Sequence, residues 1–262
     1  MSGYPTSLGA STATTIRLLN QDLADDLMGT VGFGELAFWL IARRRPTPQQ
    51  VRVFETVLVA LADHGFTPTA IATRLTYLSA PDSLQGALAA GLLGGGSRFL
   101  GVTEDCGEFL AGVLAGLDGP LPTTDAGWDP IAMQAVLDAK ATSRYVPGLG
   151  HPIHTEVDPR TPRLIAIAHE ESAYGPHLAL FEAIGRVHPE VLGRRLSLNG
   201  AGVCGAALAD LGLPIDLLRG VALIARTAGL LGQLAEEREH PAAMRMYMAI
   251  ERSATEVAID AD

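Results

Sequence analysis

The feature that most restricts this chain is a hydrophobic pattern that keeps recurring at the helical period and shows no sustained alternation of the strand kind. From Pro46 to Asp63 the sequence offers Thr47 as a cap and Pro48 in the first turn, then Phe54, Val57, Leu58 and Leu61 at i, i+3, i+4 and i+7. That is an amphipathic helix. It stops at Asp63-His64-Gly65, where a glycine just beyond the periodic run suits a left-handed residue. The same reading predicts helices over Thr67 to Ser79, Ser83 to Gly91, Cys106 to Leu117 and Pro130 to Ala141. After a loop from Ser143 to Pro162 it predicts Arg163 to Ser172, Gly175 to His188, Gly202 to Leu211 and Pro214 to Arg238. At most a short strand or two is expected, near Arg144-Tyr145-Val146. The expected fold class is all-α.

Composition narrows the function. The 262 residues are 48% hydrophobic and only 5% aromatic, so the core is one of Leu, Ala, Val and Ile. A chain of this length buries roughly 70% of its unfolded surface. Glycines inside helical runs, as in Gly86-Ala87-Leu88 and Ala228-Gly229-Leu230, cost helix propensity and point to closely packed helices or a subunit interface. A net charge of −10 disfavours nucleic acid, whose binding needs Lys and Arg to displace counterions. Lys140 is the sole lysine, so nearly all cations are guanidiniums suited to carboxylate or phosphate. Two thiols, Cys106 and Cys204, make no disulfide framework, and Met1 to Thr15 lacks the pattern of a signal peptide. Beyond that tail the longest uncharged run, Ser83 to Ser97, falls short of the roughly 20 apolar residues that cross a bilayer. A cytoplasmic protein without a membrane partner is expected.

The densest polar cluster runs from Val146 to Arg160, with His151 among three prolines and two glycines and Asp158-Pro159-Arg160 after it. Glycines let backbone N–H groups approach an anion, and prolines place the histidine with little further ordering, so His151 is the first candidate for acid or base work. The bland alternative is a structural loop whose histidine bonds a backbone carbonyl. A metal site from His151, His154 and Asp158 has poor spacing and no fourth ligand nearby, so no metal is expected. Gly94 to Gly101 follows a helix and lacks both dinucleotide spacing and a Walker lysine. Arg226, in an apolar helix, needs an anionic partner, either a ligand carboxylate or a structural acid such as Asp210. Arg43 to Arg45 and Glu236, Glu237 and Glu239 are read as solvated surface, and His169, His177 and His188 receive no role. The turn-rich stretch Asp118 to Asp129 is a candidate hinge.

In order, Ala62-Asp63-His64-Gly65, Gly91-Leu92-Leu93 with Ser97-Arg98-Phe99-Leu100-Gly101, Pro147-Gly148-Leu149-Gly150-His151 with Asp158-Pro159-Arg160, and Arg226 to Gln233 resemble the citrate synthase superfamily. The resemblance spans nearly the whole chain. Its length and its Arg98-Phe99 form are similar to the short citryl-CoA lyases and the C-terminal lyase module of ATP citrate lyase. The resemblance implies a homodimer with a large helical domain at the interface (1–104 and 206–262) and a smaller lobe (105–205) that closes over acyl-CoA. It further implies His64 and His151 as catalytic residues that hold oxaloacetate, with His151 the acid or base at the carbinol oxygen. Arg160 and Arg226 would pair the substrate carboxylates, Arg98 would join the substrate site, and Tyr145, Val146, Pro147, Gly148, Leu149 and Gly150 would contact coenzyme A.

The implied reaction is cleavage of citryl-CoA to acetyl-CoA and oxaloacetate. Two departures bear on it. Synthases carry a histidine in the glycine segment, and Ser97 to Gly101 has none, as in lyase-type members. The family's catalytic aspartate lies in an Asn-Val-Asp-Gly-like segment, and Leu198-Asn199-Gly200-Ala201-Gly202 puts Ala201 there. Glu104, Asp105 or water could replace it, the substrate could be another acyl-CoA used in either direction, or catalysis could be lost in a CoA-binding regulatory paralogue. Where synthases supply an arginine from the partner subunit this chain has Glu239, with Arg238 or Arg245 as substitutes.

Overall fold

The computed structural model describes residues 3–256, so residues 1–2 and 257–262 of the expected domain ranges lie outside the described residues. In chain order the elements are β1 (Gly9–Ser11), β2 (Ile16–Leu18), β3 (Gln21–Asp22), a single π turn (Leu23–Leu27), α1 (Phe33–Ala42), α2 (Pro48–Ala62), α3 (Pro68–Ser79) and α4 (Leu84–Leu93). There follow α5 (Val102–Ala115), α6 (Asp125–Ala141), α7 (Arg160–Glu170), α8 (Pro176–Leu192), α9 (Gly200–Asp210), a 3₁₀ turn (Ile215–Leu217), α10 (Leu218–Glu239) and α11 (Ala243–Ser253). The fold is all-α, as expected.

The helix starts follow local chemistry. Thr47 and Gln50 form a reciprocal capping box at α2: the Gln50 N–H donates to Thr47 Oγ1 (3.3 Å) and the Thr47 N–H to Gln50 Oε1 (3.1 Å). Thr67 caps α3 with Pro68 in its first turn. The α8 start borrows its cap from far along the chain, since Asp210 accepts the N–H groups of Gly175, His177 and Leu178 at 2.9–3.0 Å. Asp210 is therefore occupied at α8 and also holds His177 Nδ1 at 2.8 Å.

The chain packs as two compact units, Met1–Leu58 with Thr103–Leu218, and Val59–Val102 with Arg219–Asp262. In the first, α6 lies against α8, and α7 and α8 flank α9. Phe38 and Phe54 are fully buried there, edge to face at 5.4 Å between ring centroids; each buried ring contributes about 1.5–3 kcal/mol. The second unit is built on α3 against α4, with α11 on α3. Gly91 makes the α3–α4 contact tight: a Cβ on it would lie 2.9 Å from the Thr69 carbonyl oxygen. Among the described residues no helix is long and apolar enough to cross a membrane.

Three expectations need correction. The strands are not at 144–146, where Gly148 turns the chain at φ +89 and only Leu149 bridges to Leu198. They form an antiparallel meander, β1-β2-β3, near the N-terminus. Its two-to-three-residue strands are too short for period 2 to register, and Leu19 and Asn20, both at positive φ, make its second turn. The helices α1 and α11 lie outside every predicted range. The stretch 118–129, expected as a hinge, lies inside the first unit, and its last residues are already helical in α6.

Candidate active site

In the first unit the segment 146–160 is held by α9 and the residues just before it. Gly148 and Gly150 both take positive φ (+89 and +82). A Cβ on Gly148 would lie 2.6 Å from the Phe181 ring, and one on Gly202 would lie 2.6 Å from Gly148 Cα. No side chain fits at either position. The loop is pinned by backbone bonds from Gly150 N–H to the Ser197 carbonyl (2.7 Å) and from Asn199 N–H to the Gly148 carbonyl (2.9 Å). Asn199 also uses both ends of its amide: Oδ1 accepts the Gly202 N–H (2.8 Å), capping α9, and Nδ2 donates to the Gly150 carbonyl (2.8 Å).

This scaffold presents His151. Its Nδ1 accepts the N–H groups of Ile153 (3.1 Å) and His154 (3.0 Å). A nitrogen that accepts cannot carry the proton, so the neutral ring carries it on Nε2. The bland expectation, a ring bonded to a backbone carbonyl, does not describe Nδ1. The His154 ring lies 4.6 Å away, centroid to centroid.

Asp158 is fully buried, and its two oxygens grip Arg160 at Nε (2.9 Å) and Nη2 (2.7 Å) while accepting the N–H of Gly200 (2.7 Å), the first residue of α9. Burial alone would push this carboxyl up, but the Arg160 and Gly200 hydrogen bonds outweigh it and hold it at about 2. The pair sits on a helix N-terminus, which favours a carboxylate. A Cβ on Gly200 would meet the Arg160 guanidinium at 2.2 Å, so glycine is what lets the side chain lie there. Asp158 and the His151 Nδ1 are thus engaged within the protein.

Ala201 lies in the first turn of α9, half-buried. The first turn of α5 packs on the same helix, for a Cβ on Gly205 would lie 2.1 Å from the Thr103 carbonyl oxygen. Glu104 and Asp105, both half-buried, follow Thr103. A cavity of about 1060 Å³ opens between α5 and α6, and Asp105, Phe109, Ile131, Arg144, Tyr145 and Pro147 are among its lining residues. A second cavity, about 630 Å³, lies beside α7 and α8. Burial raises the Cys106 and Cys204 thiols, the latter to about 12, so neither is a nucleophile at neutral pH.

In the second unit His64 sits half-buried on the turn between α2 and α3, with Gly65 at φ +69 as its left-handed stop. Arg226, 5% exposed, spans that turn: Nε donates to the Leu61 carbonyl (3.2 Å), and Nη1 to Thr67 Oγ1 (3.1 Å) and Thr69 Oγ1 (3.2 Å). Asp210, the structural acid considered for Arg226, is the α8 cap. Arg98 is exposed in the turn after α4. Arg238 bonds Tyr77 Oη at 2.9 Å and Arg245 is exposed on α11. Sequence reasoning passed over Asn199, Gln233 and Asp63 as polar groups with work to do, although all three stand inside quoted segments.

The chain belongs to the citrate synthase family: the model of the citrate synthase C-terminal domain matches residues 11–252. Citryl-CoA lyase from Hydrogenobacter thermophilus is similar in structure, with a TM-score of 0.84, 27% identity and coverage of 99% of this chain and 96% of that one. The ATP citrate lyase of Methanothrix soehngenii, solved with citrate and coenzyme A, shares the fold at a TM-score of 0.77 and 21% identity, over 99% of this chain and 42% of that one. In sequence, 2-methylcitrate synthase 2 of Corynebacterium glutamicum is 26% identical over 209 residues, 76% of this chain. The chain spans about half the length of the curated relatives it matches.

Proposed function

We propose that the protein is a carbon–carbon lyase of the citryl-CoA lyase type, which cleaves citryl-CoA to acetyl-CoA and oxaloacetate. The observation that carries the reading is the His151 loop: glycines without room for a Cβ, a ring oriented by two backbone N–H groups, and Asp158–Arg160 anchored on α9. The likeness to a citryl-CoA lyase over almost the full length of both chains supports it. In this reading His64 and His151 hold the oxaloacetate part of the substrate, and Arg160, Arg226 and Arg98 pair its carboxylates. Guanidinium forks fix the scissile bond in alignment, an effect worth up to about 7–11 kcal/mol of barrier.

His151 is the acid or base at the carbinol oxygen, which gives up its hydroxyl proton and becomes the ketone of oxaloacetate as the bond breaks. The electron pair of that bond passes to the acetyl-CoA enolate, which is then protonated at carbon. Ala201 cannot supply that proton, so Glu104, Asp105 or water does. Coenzyme A lies along Tyr145 to Gly150. The cavity beside Tyr145 and Pro147 combines apolar side chains such as Phe109, Val113 and Ile131, which suit the uncharged pantetheine arm, with Asp105, Glu108 and Asp138 and with one guanidinium, Arg144, that suits a phosphate. The lobe division at 105–205, the homodimer and the cytoplasmic location belong to the same proposal.

Incubation with citryl-CoA, with oxaloacetate followed by coupled reduction, is the deciding assay. Rapid release supports the lyase. Ala201 favours one second reading, a CoA-binding paralogue with impaired turnover, since loss of a general acid costs about 10²–10⁴ in rate. Binding of coenzyme A without release, together with activity gained on Ala201→Asp, would establish that alternative. A protein that binds neither coenzyme A nor oxaloacetate defeats both.

A further inference from the structure

The second unit holds a polar network that the reaction as described does not use. Arg74, on α3, is 0% exposed. Its Nη1 donates to Glu237 Oε2 (2.7 Å), its Nη2 bonds Glu236, and its Nε donates to Gln233 Oε1 (2.7 Å). Gln233 in turn donates from Nε2 to Asp63 Oδ1 (2.9 Å), and Asp63 Oδ2 accepts the Gly65 N–H (2.8 Å). The chain of bonds therefore starts at a buried cation and ends on the two neighbours of His64. Its polarity is fixed: a guanidinium only donates and a carboxylate only accepts, so the Gln233 amide has one permitted orientation.

Gln233 is one of three residues on a single face of α10 that meet this turn. Arg226 ties Leu61 on one side to Thr67 and Thr69 on the other. Gly229, one turn on, has no room for a side chain, because a Cβ there would lie 1.8 Å from the Ala62 carbonyl oxygen. Gln233, a further turn on, holds Asp63. The spacing of i, i+3 and i+7 puts all three on one stripe. The Arg226-to-Gln233 motif thus reads as a seat for residues 61–67, with Arg74 fixing its far end.

We propose that Gln233, oriented by Arg74, is a positioning residue that holds the Asp63–Gly65 turn and thereby sets where the His64 imidazole stands. The proposal rests on His64 being a substrate-holding group. A neutral amide is required at 233 because it must accept from a guanidinium and donate to a carboxylate at once. Glutamine does both; glutamate of the same shape keeps the first contact and turns the second into repulsion.

Gln233→Glu is therefore the test, paired with Asp63→Asn in the same chain. In the single variant, amide hydrogen exchange over residues 60–67 should rise at least tenfold while the rest of α10 and α3 keep their protection. The His64 imidazole should titrate at a shifted pH by NMR. In the double variant the new carboxylate accepts from Arg74 and from the new amide, whose oxygen accepts the Gly65 N–H, so exchange and titration should return to wild type. In the cleavage assay the single variant should raise KM for citryl-CoA about tenfold with a smaller change in kcat, and the double variant should reverse it. Unchanged exchange at 60–67 in the single variant, a rise spread evenly over the unit, or no recovery in the double variant overturns the proposal. If the wild-type protein does not cleave citryl-CoA, the reading of the reaction fails on that result alone, and exchange and titration still decide whether Gln233 places His64.

Discussion

At the scale of single residues, charge here is governed by what surrounds it more than by its type. Asp158 is a carboxylate without contact to solvent that nonetheless stays ionised far into acid, because Arg160 and the Gly200 N–H stabilise its charged form more than burial opposes it. Its folded-state value of about 2 lies below the ordinary 3.8, so it adds stability above about pH 4 and loses it as the pH falls from about 4 towards 2. Asp158→Asn should lower stability at neutral pH by about 3 kcal/mol, since Arg160 then loses its buried partner. Urea unfolding across pH 2–7 checks this, and the variant should show a flatter acid limb than wild type. An equal acid limb in both proteins would contradict the assignment. The identity of Asp158 as a partner for Arg160 was hidden in the sequence, where two residues that close in a loop gave no sign of folding back on each other.

Among elements, α10 shows how one helix divides its glycines between contact and cost. Alanine is favoured over glycine in a helix by about 1 kcal/mol where nothing stands in the way. Gly220 and Gly232 have open space around the position of a Cβ, whereas Gly229 faces the Ala62 carbonyl oxygen, a backbone atom that cannot swing aside. Gly220→Ala should therefore stabilise by up to about 1 kcal/mol, and Gly229→Ala should destabilise by about 1–3 kcal/mol through overpacking. Thermal unfolding of the two variants side by side gives opposite signs if the close approach is real. The helices of 48–62 and 67–79 were legible because caps and apolar spacing are local. By contrast α1 is apolar almost throughout, which blurs its period, whereas α11 carries the same signal as α2, with Met244, Tyr247 and Met248 at i, i+3 and i+4, and was passed over.

For the molecule as a whole, the net charge of −10 leaves no long-range attraction for a polyanion, so under the proposed function coenzyme A would be held by local donors and shape. Ligand binding to the folded state alone stabilises by about 2.7 kcal/mol at a hundred times the dissociation constant. For a chain of this size that is a rise of about 5–10 °C in the unfolding midpoint. Coenzyme A at that excess should produce it, and Gly148→Ala, which drives a Cβ into the Phe181 ring and a positive φ, should abolish most of it. Differential scanning fluorimetry reads both. A shift of equal size in the variant would move the coenzyme away from the 145–150 loop.

The helical class, most helix positions and the motifs carrying His64, His151, Arg160 and Arg226 were set by the sequence alone, since periodicity, caps and glycine-proline loops act over a few residues. Tertiary structure decided the rest: that Asp158 lies beneath Arg160, that Asn199 ties α9 to the 148–150 loop, and that Gln233 links Arg74 to Asp63. Those contacts join residues up to 170 positions apart, and which polar group meets which depends on how helices pack, a property no local pattern contains.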